Sequence, residues 1–109
     1  MKHITGAEKS LLVGDEAADL LMEYAAFLGN SRMVDTVKLR AVGVDGEEVT
    51  ATFLLNEGTN ILAESTRSQL PEPDNAEAVR YMRETIEAGS ASHSAVPADP
   101  EDFTPTEQV

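Results

Sequence analysis

The stretch VDTVKLRAVGVDGEEVTATFLL, Val34 to Leu55, decides the fold. Val37, Leu39 and Ala41 alternate with Lys38, Arg40 and Val42; after a turn, Val49, Ala51, Phe53 and Leu55 alternate with Thr50, Thr52 and Leu54. A period of two marks strands with one buried and one wet face, so the stretch predicts an antiparallel hairpin whose apolar side needs a cover. Its loop sets the register, and register decides which side chains share a face. A two-residue Asp45-Gly46 loop would set Arg40 opposite Ala51 and Lys38 opposite Phe53, which buries charge against the core. A three-residue loop, Val44-Asp45-Gly46, sets Gly43 opposite Glu47 and brings Ala41 to Val49, Leu39 to Ala51 and Val37 to Phe53. Every inward pair is then apolar, and Gly46 falls at the left-handed position that such a turn demands. The longer loop is the expected one, with Arg40 beside Thr50 and Lys38 beside Thr52 on the outer face.

Upstream of the hairpin, Lys2 to Thr5 and Lys9 to Val13 read as short strands around the turn Thr5-Gly6-Ala7-Glu8. A helix follows, with Asp15 as its expected cap, Asp15, Glu16 and Asp19 at the positive end of its dipole, and Gly29-Asn30 as its stop. Ala18, Leu21, Met22, Ala25 and Leu28 form one apolar stripe, and Leu20, Tyr24 and Phe27 widen it until only Glu16, Asp19, Glu23 and Ala26 are left for water. So broad a stripe predicts a helix covered on more than one side. Downstream, Asn56-Glu57-Gly58-Thr59 is turn chemistry, and Ile61 to Glu64 reads as a third strand of a meander, with a short helix as its rival. Ser65 to Pro73 is a linker. A second helix opens on Asp74 and Glu77, which have capping-box spacing, carries the narrow stripe Val79, Met82 and Ile86, and ends near Ala88-Gly89.

These elements predict an α+β fold: a small two-layer domain in which an antiparallel β-meander is covered on one face by two helices, in the order β-α-β-β-(β)-α. At 109 residues there is room for one domain, expected over residues 1–88. From residue 89 to 109 the composition shifts to Ser, Ala, Pro, Asp, Glu and Thr, with Phe103 and two valines as the larger apolar groups. Such a segment buries too little surface to offset its ordering entropy, and a disordered acidic tail is expected.

Composition excludes more chemistry than it suggests. The chain has no cysteine, hence no disulfide, thiolate nucleophile or cysteine-bound metal. No basic segment followed by an apolar run opens it and no run approaches membrane-spanning length, so the expectation is a cytoplasmic protein with no membrane partner. Twenty acidic against eight basic residues give a net charge of −12, which repels a nucleic-acid backbone and permits a basic protein partner. The phosphate-binding patterns Gly-x-x-x-x-Gly-Lys-Ser/Thr and Gly-x-Gly-x-x-Gly are absent. His3 and His93 lie near opposite ends of the chain. Ser92, His93 and Asp99 have the residue types of a triad but no strained nucleophile turn around the serine. Glu16, Asp19 and Glu23 share a helix face and could together meet a hard cation, although acidic residues are what the wet side of such a helix carries anyway. No catalytic residue, cofactor or metal is predicted. Ser65-Thr66-Arg67-Ser68 is a weak phosphorylation pattern.

The candidate partner-binding residues are Tyr24 and Phe27 on the broad helix, as anchors of a homodimer; Lys38 and Arg40 on the outer face of the hairpin, as a basic patch for an acidic element; and Phe103, as an aromatic anchor in the acidic tail. Three functions follow. The favoured one is a non-catalytic acidic protein-interaction module, self-associating or bound to another protein. The second is an acidic inhibitor or antitoxin-like protein that masks a basic nuclease or nucleic-acid-binding partner. The third is an enzyme or small-ligand binder with a pocket that motifs do not reveal.

Overall fold

A computed structural model describes residues 1–95, with side chains through Gly89. Seven elements follow one another: β1 (Lys2–Gly6), β2 (Lys9–Val13), α1 (Asp15–Ser31), β3 (Asp35–Val42), β4 (Glu48–Leu55), β5 (Leu62–Ser65) and α2 (Ala76–Ala95). The strands form one antiparallel sheet in the order β4-β3-β2-β1-β5. With two helices against it, this is the α+β architecture that the pattern predicts.

The central hairpin has the register derived from its loop. Ala41 pairs with Val49, Leu39 with Ala51, Val37 with Phe53 and Arg40 with Thr50. The Gly46 N–H donates to Gly43 O at 3.0 Å, the Gly43 N–H donates to Glu47 O at 2.9 Å, and Gly46 has φ +84°, where a side chain would strain the turn. Lys38 and Arg40 face water while Val37, Leu39 and Ala41 are buried, and Ile4, Val13 and Leu55 join them from the other strands. Ala18, Leu21, Tyr24 and Leu28 of α1, with Val79 and Met82 of α2, complete the core.

Several sequence expectations give way to tertiary structure. Residues 62–65 do form a strand, but β5 returns to the opposite edge of the sheet and pairs with β1, Ala63 opposite Ile4, instead of continuing the meander beside β4. That pairing closes the second side of β1 and turns Ala63 toward the buried Ile4 under α1; its consequence is that β4 becomes a terminal strand. Asp15 is the first residue of α1, not its cap. Gly14 holds the cap position without a side-chain bond, and the Asp15 carboxylate lies 3.2 Å from the Met1 amine. The helix runs past Gly29-Asn30 because Arg32 takes the left-handed conformation, letting its N–H reach Gly29 O and the Met33 N–H reach Leu28 O, a Schellman closure. At the start of α2 the cap position belongs to Asn75, whose carbonyl accepts the Val79 N–H, while the Asp74 side chain accepts the Ala76 N–H at 3.0 Å. Nor does Gly89 end α2, which continues to Ala95. Gly89 instead lets the two helices approach, since a Cβ there would collide with the Phe27 ring. Residues 89–95, expected to open the disordered tail of 89–109, thus belong to α2, and the remainder of that segment, from residue 96, lies outside the described residues.

Candidate functional site

The sheet has two places where a strand side lacks a strand beside it, and they are resolved differently. The first arises because β2 meets β3 only at Leu12–Val42 before the chain turns at Gly14 into α1. The side of β3 that looks away from β4 is therefore left without a strand over most of its length. Asn75 fills the gap at Arg40, with its Oδ1 accepting the Arg40 N–H at 2.7 Å and its Nδ2 donating to Arg40 O at 2.9 Å. A side-chain amide has one donor and one acceptor in the geometry of a peptide group, so Asn75 substitutes for the missing strand. Further along, Tyr24 of α1 and Tyr81 of α2 both donate to Oδ2 of Asp35, each at 2.5 Å. Burial works to raise the Asp35 carboxyl, but the bonds from Tyr24, Tyr81 and the Thr36 N–H outweigh it and hold the group below its ordinary value. The Tyr24 hydroxyl is pushed well above the phenol range, first by burial and then by the carboxylate that accepts its proton. Asn75 and Tyr81 thus hold α2 along this side of β3, and Tyr24 ties α1 to the same carboxylate.

The second place is the outer side of β4, and among the described residues no strand or helix pairs with it. Its polar groups follow from the ladder. Arg40 directs its N–H and C=O to Asn75, away from β4, so its cross-strand partner Thr50 is in a non-hydrogen-bonded pair and directs its own groups away from β3. By alternation Glu48, Thr50, Thr52 and Leu54 all turn backbone N–H and C=O to that side; the Leu54 carbonyl there accepts the Thr59 hydroxyl at 3.4 Å, while the groups of Thr50 and Thr52 have no partner among the described residues. The strand has eight residues, and from Val49 to Asn56 the chain carries no charge, no proline and no glycine. Natural sheets usually blunt such edges with lysine, proline, a bulge or a short strand, none of which interrupts this one. Leu54 is 61 % exposed and Val49 40 %.

Beneath that edge lies a groove of about 740 Å³, floored by Ile4, Leu11, Ala51, Phe53 and Ile61 and walled by the β4 backbone through Thr52 and Leu54. No residue of α1 or α2 lines it. A second groove, of about 580 Å³, runs between the outer face of the hairpin and the first turns of α2. Thr36, Lys38, Arg40 and Thr50 line one wall, and Asp74, Asn75, Glu77 and Tyr81 the other.

The predicted site residues fall into three groups. Lys38 and Arg40 are exposed where expected, with helix α2 of the same chain as the neighbouring acidic element and Glu48 3.7 Å from the Arg40 Nε. Tyr24 is 1 % exposed and Phe27 packs on Gly89, so both lie under α2 of their own chain, the covered-helix alternative to a dimer seam. Phe103 lies outside the described residues. Of the acidic trio, Glu16 takes Arg83 at 2.7 Å and Asp19 takes Lys2 at 2.6 Å, two cations from different elements, and no group of three metal-ligating side chains converges among the described residues. His3 sits on β1 opposite Leu12 and Glu64, and His93 falls in the last turns of α2. No helix among the described residues is long and apolar enough to cross a membrane.

The bare edge of β4 is not among the surfaces that the sequence predicts. Its signal is present in the run Val49 to Asn56, but a strand is an edge only once the strand order is known, and that order turns on where β5 pairs. No protein-family model, curated protein or solved structure matches the chain.

Proposed function

We propose that this chain is a non-catalytic protein-interaction module that takes an extended segment of another polypeptide along β4. The single observation that carries this reading is the conjunction of a long edge strand, uncharged from Val49 onward, with an apolar groove directly under it. Strand addition uses those two parts: main-chain bonds supply affinity, and every second side chain of the incoming segment drops into the groove. The residues that act are Thr50 and Thr52 through their backbones, and Phe53, Leu11 and Ile61 through their side chains, with the buried Ile4 behind them. A cytoplasmic setting goes with this reading. The inhibitor alternative is favoured only by the net charge of −12.

The test uses a blocked peptide of the β4 sequence, Glu48 to Leu55, titrated into dilute protein labelled with nitrogen-15. The reading expects saturable shifts confined to the amides of Thr50, Thr52 and Leu54 and to groups lining the groove. Spectra unchanged at saturating peptide would remove strand addition as the function.

A further inference from the structure

Resting on that reading, we infer that the segment taken by β4 is β4 of a second copy, paired antiparallel about a two-fold axis at Ala51. The axis must lie perpendicular to the sheet if the apolar faces of both copies are to fall on one side. A residue can then pair only with one of its own parity. Centring the pairing on Ala51 sets Thr50 opposite Thr52 of the second copy, Val49 opposite Phe53 and Glu48 opposite Leu54. Glu48, Thr50, Thr52 and Leu54 are the residues whose backbone groups point outward, so this register engages the open groups of Thr50 and Thr52 fully, and at each end the Glu48 N–H of one copy takes the place of the Thr59 hydroxyl on Leu54 O of the other.

The side chains suit this pairing. Threonine pairs on the wet face and a valine–phenylalanine pair on the apolar face are favourable cross-strand neighbours. At the axis the two copies of residue 51 form a non-hydrogen-bonded pair, the arrangement that brings side chains closest, and the residue there is alanine. The two Glu48 carboxylates fall at opposite ends of the joint. A chain of net charge −12 repels its own copy, and this joint keeps charge out of the contact from Val49 to Asn56. Both grooves are floored in part by Ala51 and Phe53, so pairing would join them into one trough across the axis.

Salt dependence separates this pairing from capture of a basic partner: screening relieves repulsion between like-charged copies and weakens attraction to an oppositely charged protein. Light scattering on the full chain over a concentration and salt series is expected to show the mass rising twofold, at lower concentration in higher salt. The parent has no thiol, so a single introduced cysteine reports proximity: Ala51→Cys should cross-link into a dimer on mild oxidation, while Val49→Cys, whose counterpart lies across the axis, should not. Thr52→Pro removes an N–H that β3 does not use, and Thr52→Lys adds a charge beside the seam; both should give folded monomers. A monomer at every concentration and salt overturns the inference, as does a dimer that survives both Thr52 variants. The blocked β4 peptide keeps the two levels apart, because binding of the peptide by a monomeric protein sinks the second copy alone, whereas failure to bind sinks the strand-addition reading with it.

Discussion

Strands β3 and β4 each have a long side that faces away from the other, and the molecule treats those sides in opposite ways. On β3 the polar backbone at Arg40 is bonded by Asn75, and Asp35 is shared by Tyr81 of α2 and Tyr24 of α1. On β4 the equivalent groups of Thr50, the residue directly opposite Arg40, have no partner among the described residues. Within one hairpin, and on one rung, only one of the two ends is closed. An unpaired strand side is a template for association, and this chain interrupts one such template at Arg40 with Asn75, at the start of its second helix. The difference is what the proposed strand addition rests on: a second strand can lie along Thr50 and Thr52, whereas on the other side of the rung Asn75 already occupies Arg40.

The sharpest way to break the comparison is a proline on each side of the one rung. Arg40→Pro deletes the N–H that Asn75 accepts and leaves its Oδ1 without a donor, and should cost about 3 kcal/mol in urea unfolding. Thr50→Pro deletes an N–H that the folded monomer leaves unpaired, and should cost under about 1 kcal/mol. Equal penalties would mean that the two sides do not differ as described.

Next comes the amide that closes the β3 side. Asn75→Ala removes both bonds to Arg40 and should destabilise by about 2 kcal/mol, with faster amide exchange at Arg40. Asp35→Asn weakens the charge-assisted bonds from Tyr24 and Tyr81 and should cost about 1–2 kcal/mol near neutrality. Here the sign of the pH dependence is fixed. The folded carboxyl lies below its ordinary value, so its contribution is complete above the unfolded pKa of about 3.9 and is lost as pH falls through the folded one. Parent and variant should therefore converge in acid-unfolding curves, and a gap that widened with acid would refute the role given to Asp35.

The smallest effect is expected where α2 leans on α1. Gly89→Ala gains about 1 kcal/mol of helix propensity, yet the new methyl meets the Phe27 ring and overpacking costs about 1–3 kcal/mol. The net should be a loss of about 1 kcal/mol, and in a Phe27→Leu background the same substitution should stabilise. Melting temperatures of the parent and the three variants read this directly.

Much of the fold is legible in the amino-acid sequence alone. The hairpin register follows from burying no charge, and Gly46 from the turn that this register needs, because both are decided within a few residues. The apolar stripe of α1 is equally local. What the sequence hides depends on distant partners: Gly89 has the look of a stop unless Phe27 is seen against it, Asn75 that of a linker residue unless Arg40 is seen beside it, and Tyr24 and Phe27 that of surplus apolar surface unless α2 covers them. The bare edge is hidden for the same reason, since the loop between Leu55 and Leu62 says nothing about which edge β5 will join.

Amide hydrogen exchange along β4, recorded in concentrated and in dilute protein, tests the central claim most directly. Val49, Ala51 and Phe53 bond to β3 and should exchange slowly in both. Thr50 and Thr52 should be slow in concentrated protein and released on dilution, which places a second strand on the open side. Exchange at Thr50 and Thr52 that is fast and identical at every concentration would contradict it.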